Sequence, residues 1–95
     1  MSKQEMQEMA DAVAGEVMND RAAFDSCVLG VDPVKDDGGE VIGLEILRTF
    51  GGPTVWVDTY EGLVYAHEQG AQATAEVSEA ACARLNAYYG LDLIC

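Results

Sequence analysis

One histidine, three cysteines and seventeen carboxylates are the side chains of this sequence best suited to serve as a base, a thiol nucleophile or a metal ligand. A nucleophile needs a base beside it, and His67, in "LVYAHEQG", has neither Ser nor Cys in its sequence neighbourhood. His67 reads as a hydrogen-bonded sheet histidine, while pairing across space with Cys27 or Cys82 stays open. Cys27, Cys82 and Cys95 are odd in number, widely spaced and without a Cys-x-x-Cys pair, which argues against structural zinc. Cys82, among small apolar residues, reads as a buried thiol, and Cys95 as a residue that forms adventitious intermolecular disulfides in air. With seventeen acids, chance supplies carboxylate pairs everywhere, so a glycosidase or protease reading gains nothing from them.

The acidic stretch "VDPVKDDGGE" invites a calcium loop, but the spacing fails. Aligning Gly38 with that loop's glycine puts Pro33 at the first ligand position and Leu44 at the last, and aligning Gly39 puts Val34 first. The glycine-rich places match neither a P-loop nor a dinucleotide fingerprint. The expectation is a protein without catalytic residues, metal or cofactor.

Charge is more informative. Seventeen acids face five bases, a net charge of -12 spread along the chain, and no Lys or Arg occurs between Arg48 and Arg84. Phosphate binding requires clustered Lys and Arg, so this field excludes direct nucleic-acid binding and anionic membrane surfaces. The same field steers the protein toward basic surfaces. Apolar runs fall far short of the roughly 20 residues that span a bilayer. The first residues, "MSKQEMQEMADAVAGEV", lack the basic start and unbroken apolar stretch of a secretory signal, and the expected location is the cytoplasm.

The elements that must position these charges form one α+β domain. Residues 3 to about 24 have apolar side chains at helical steps (Met6, Met9, Ala10, Val13, Val17, Phe24), with Glu5, Glu8, Asp11 and Glu16 on the other side and Gly15 as a possible bend. Pro33 disfavours helix at Asp32, and residues 32–40 read as an exposed acidic loop. From Val41 the period becomes two. Ile42, Leu44, Ile46 and Phe50 share one strand face, "PTVWVDTY" and "LVYAHE" form a hairpin about Glu61-Gly62, and "AQATAEV" follows after Gln69-Gly70. Ser78 is a good N-cap for a helix running to Gly90. The expected fold is an antiparallel sheet of three to four strands over about 41–77, with an N-terminal and a C-terminal helix covering one face.

An even-length hairpin loop puts Val55, Val57, Val64 and Ala66 on one side of this sheet and Trp56, Asp58, Tyr65 and His67 on the other. With the valine side as core, the open face shows aromatics beside acids, and Trp and Tyr are enriched in binding hot spots. A one-residue slip inverts that assignment and buries Trp56 and Tyr65 under a helix. The acids on exposed faces without a basic neighbour are Asp36, Asp37 and Glu40 in the loop, then Glu45, Asp58, Glu61, Glu68 and Glu76; with Trp56 they are the candidate partner-binding residues. The acidic back of the first helix is the second choice.

The run "LEILRTFGGPTVWVDTYEGLVYA" followed by "SEAACARLNAYYG", roughly residues 44 to 90, resembles small acidic proteins of phages and mobile elements, in which a Gly-Gly-Pro enters a β-hairpin and a short helix closes the domain. Anti-CRISPR inhibitors are among them, and in size and acidity the chain resembles a type I-C anti-CRISPR protein. The resemblance implies inhibition by DNA mimicry: carboxylates occupy the basic channel or protospacer-adjacent-motif pocket of the Cascade complex, typically on its large subunit, and keep target DNA out. A monomer is expected. An antirestriction protein aimed at another DNA-binding protein and an acidic mobile-element adaptor working through its aromatic face are the alternatives. Gly51-Gly52 could cradle an anion, but with no Lys or Arg between Arg48 and Arg84 it reads better as a bend between strands, with Pro53 at a strand's first residue, where a missing N–H does little harm.

Overall fold

The computed structural model describes residues 3–50 and 53–94, with no side-chain description beyond Gly90. The Gly51-Gly52 bend and Cys95 lie outside the described residues. The chain is an α+β domain: helices α1 (Lys3–Asn19) and α2 (Arg21–Asp25), strands β1 (Gly30–Lys35), β2 (Val41–Thr49), β3 (Thr54–Asp58), β4 (Leu63–Glu68) and β5 (Ala71–Glu76), then helix α3 (Glu79–Ile94). The sheet has five strands in the order β1-β2-β3-β4-β5, every neighbouring pair antiparallel.

Period-two alternation builds the core side. Leu44, Ile46, Val55, Val57, Val64 and Ala66 are buried on one sheet face beneath Met6, Ala10, Val13 and Val17 of α1, Phe24 of α2, and Ala81, Cys82, Leu85 and Tyr89 of α3. Fully burying one aliphatic or phenyl side chain contributes roughly 1.5–3 kcal/mol, so this layer dominates the stability. Polar contacts hold the helices to it. Arg48 of β2 pairs with Glu16 of α1 at 3.2 Å, Gln7 Nε2 donates to the Thr74 carbonyl at 2.7 Å, and the Tyr89 hydroxyl donates to Asp25. Arg21 pairs with Asp25 at 3.1 Å and lies over the Tyr88 and Tyr89 rings. Ser78 caps α3, its Oγ accepting from Ala81 N.

Four features depart from the sequence reading. A fifth strand, β1, occupies part of the expected acidic loop: Pro33 pairs opposite Leu44 at the sheet edge, where a residue without an N–H is tolerated. The loop shrinks to residues 36–40. The first helix breaks at Asp20, not at Gly15, because the Asp20 carboxylate accepts from Ala23 N and starts α2 as a separate turn. A register shift between Leu47 and Thr49 turns Phe50 out of the core, leaving it 77% exposed. Helix α3 continues through Gly90 to Ile94.

One glycine is dictated by close approach. A Cβ on Gly43 would lie 2.7 Å from Tyr60 Cβ and 2.9 Å from Tyr60 N, so only glycine lets the β3–β4 loop fold back across β2. Thr59 completes that anchorage. Its Oγ1 accepts from Leu44 N at 2.8 Å and donates to Asn86 Oδ1 at 2.6 Å, tying loop, sheet and α3 together.

Candidate acidic docking face

The sheet face turned away from the helices is ordered in transverse rows by the strand register. The first row reads Asp32, Glu45, Asp58, Leu63 and Glu76 from β1 to β5, with an acid at every strand but one. Four inter-strand steps separate its ends, about 19 Å. The second row is Gly30, Leu47, Trp56, Tyr65 and Thr74, and beyond it Thr54, His67 and Gln72 complete the face. No lysine or arginine stands in these rows. The β1–β2 turn, with Asp36, Asp37 and Glu40, and the β3–β4 loop, with Glu61, project from the same end of the sheet as the acid row, because antiparallel pairing brings both to the start of β2.

The side chains within this arrangement differ in their commitments. Asp58 is 8% exposed, and its Oδ1 accepts from Tyr60 N and Glu61 N, both at 2.9 Å, so it shapes the β3–β4 turn. Asp36 does likewise for the β1–β2 turn, its Oδ1 accepting from Gly38 N at 2.9 Å and Glu40 N at 3.0 Å. Asp32, Asp37, Glu40, Glu45, Glu61 and Glu76 are exposed. Trp56 and Tyr65, directly opposite on β3 and β4, stack at 5.2 Å between ring centroids with planes 13° apart. The Tyr65 hydroxyl donates to Glu61 Oε1 at 2.8 Å. That hydrogen bond comes first, then partial burial and the negative field of Glu61, Asp58 and Glu45, in pushing the Tyr65 phenol up to about 12. The tyrosine thus reports the field of this face.

Of the two assignments left open by the sequence, the structure has the valine side as core, which puts Glu45, Asp58, Glu76 and Trp56 on the uncovered face with Glu61 beside it. Glu68 is elsewhere. Strand alternation puts it on the helix-covered side with Val64 and Ala66, and it is half-buried. Of the second-choice acids, Glu16 has a basic neighbour after all, in Arg48, whereas Glu8 and Asp11 stay exposed on α1. Asp32 was missed because the Asp-Pro pair reads as turn chemistry, and collinearity needed a register that only pairing supplies.

His67 stands exposed on the open face, and Cys82 lies on the opposite side of the sheet in the core. Cys27 lies in the connection between α2 and β1, the edge strand three places from β4, and its side chain contacts Ser26 Oγ. Among the described residues no three His, Cys, Asp or Glu side chains gather closely enough to hold a metal ion, and no helix is long and apolar enough to cross a membrane. Comparison with protein-family models, with curated proteins and with solved structures gave no match for this chain.

Proposed function

We propose that the uncovered sheet face docks onto a basic protein surface built to hold a nucleic-acid backbone, and inhibits that protein by occupying it. One observation carries this reading: exposed Asp32, Glu45 and Glu76 stand in one row across the open face, with Asp58 buried between them at the β3–β4 turn and no lysine or arginine in the rows. Carboxylates presented where phosphates lie use the cationic groups already in place on such a partner, with association accelerated by the field and weakened by salt. The resemblance to anti-CRISPR proteins makes the large subunit of a type I Cascade complex, in the bacterial cytoplasm, the first target to try. In the test, purified chain is added to Cascade before duplex DNA. The expected result is blocked DNA loading at about 50 mM salt that recovers steeply toward about 200 mM. Unimpaired loading at saturating protein removes Cascade as the target, and pull-down from a lysate then identifies another DNA-binding protein.

The stacked Trp56 and Tyr65 favour a second reading, an adaptor binding through its aromatic row. Binding indifferent to salt, lost in Trp56→Ala and retained in Glu45→Lys, would select it.

A further inference from the structure

Around the sheet end from the acid row lies an open groove of about 720 Å³ between the β3–β4 loop, the end of β5 and helix α3. Glu61, Glu76 and Glu79 line it together with Tyr60, Leu63 and Ala83, and among the described residues no Lys, Arg or His contributes to its wall. Glu76 and Leu63 belong both to the groove and to the acid row, so the two surfaces are continuous. Tyr60, 62% exposed, is held at the groove by the tight approach of its backbone to Gly43. An exposed aromatic residue on an anchored loop, an apolar wall and carboxylates contributed by the loop, β5 and α3 suit a flat cation with an aliphatic stem.

We propose that this groove receives an arginine side chain of the basic partner, and that the partner runs from the acid row around the sheet end into it. The inference rests on the docking reading above. Arginine fits better than lysine because its guanidinium stacks on Tyr60 while donating to Glu61 or Glu79, and its stem lies along Leu63 and Ala83. The field of the acid row supplies attraction, and the groove supplies the preference for arginine.

The experiment titrates the ¹⁵N-labelled full chain with the peptide Gly-Arg-Gly-Arg-Gly-Arg and with its lysine counterpart, following amide and indole signals. The expected result is that the arginine peptide shifts Gly62, Glu79 and Ala83 at the groove together with the Trp56 indole N–H, and binds about fivefold more tightly than the lysine peptide. Ala83→Trp, which fills the groove without changing charge, should weaken the arginine peptide about tenfold and leave the Trp56 shift in place at saturation. Glu79→Gln provides the same comparison should the larger residue disturb folding, with a loss of about threefold. Shifts at Trp56 with silent groove amides, or equal binding of the two peptides, overturn the arginine receptor and leave the docking reading standing. Silence at both places overturns the docking reading itself.

Discussion

The two faces of the sheet are built from the same strands and handle charge in opposite ways. On the helix-covered side, Arg48 meets Glu16 between β2 and α1, and Asp25 of α2 takes both Arg21 of its own helix and the Tyr89 hydroxyl of α3, so these acids have partners that fasten helices to the fold. On the open side, Glu45 stands between Asp32 and Asp58 with no base in its row. Like charges directly opposite across strands destabilise a sheet. The contrast teaches that folding accounts for the first set of charges and for Asp58, which holds the β3–β4 turn, whereas the exposed pair Asp32 and Glu45, opposite one another on β1 and β2, works against it.

The comparison can be broken most severely from the covered side. Phe24→Ala removes a fully buried ring and should cost about 3–5 kcal/mol in urea unfolding, whereas Trp56→Ala, half-buried on the open face, should cost far less. Equal losses would mean that the open face is a second core. Next comes the anchor between the faces: Thr59→Val leaves Leu44 N buried without its acceptor and should cost about 1–3 kcal/mol by the same measurement. Glu45→Gln sharpens the comparison in the other direction. It relieves repulsion from both neighbours and should stabilise the fold by about 0.2–1 kcal/mol while weakening binding to a basic partner. A loss of stability in this variant would contradict the view that the exposed pair opposes folding.

The smallest effect is electrostatic. The Tyr65 phenol should titrate near 12 in ultraviolet absorbance, and Glu61→Gln should bring it back toward its ordinary value of 10.0, since the hydrogen bond to Glu61 is the largest cause of the shift. The sign follows from proton binding: between those two values the folded chain keeps a proton that the unfolded chain has lost. Tyr65 therefore favours folding below about pH 10 and contributes progressively less as the pH rises toward 12.

Much of this was legible in the sequence because alternation is a local signal. Alternation grouped Val55, Val57, Val64 and Ala66 on one face, and Ser78 announced a helix start, without any tertiary information, but which face the helices cover was left to packing. Strand β1 was hidden because Gly30, Asp32 and Pro33 are turn residues by local chemistry, and only hydrogen bonding to β2 at an edge overrides them. Phe50 misled for a related reason, since a bulge shifts the face on which every later residue lies. The acid row was half visible. Its members could be named as acids of strands, but alignment across five strands is a property of register.

Strand order has a consequence for how the chain reaches this state. Each strand pairs with the one made just before it, so the sheet grows by successive hairpins whose loops close at little entropic cost. Helix α1 is different, because its packing is on β4 and β5 and its Gln7 reaches a carbonyl 67 residues away. Helix α1 precedes every strand in the chain and makes the contacts of longest sequence separation, so it is expected to dock after the strands have paired. Hydrogen exchange pulsed during refolding should find β2 to β4 protected before the sheet-facing turns of α1, with the acidic face assembled while its hydrophobic reverse still awaits its cover.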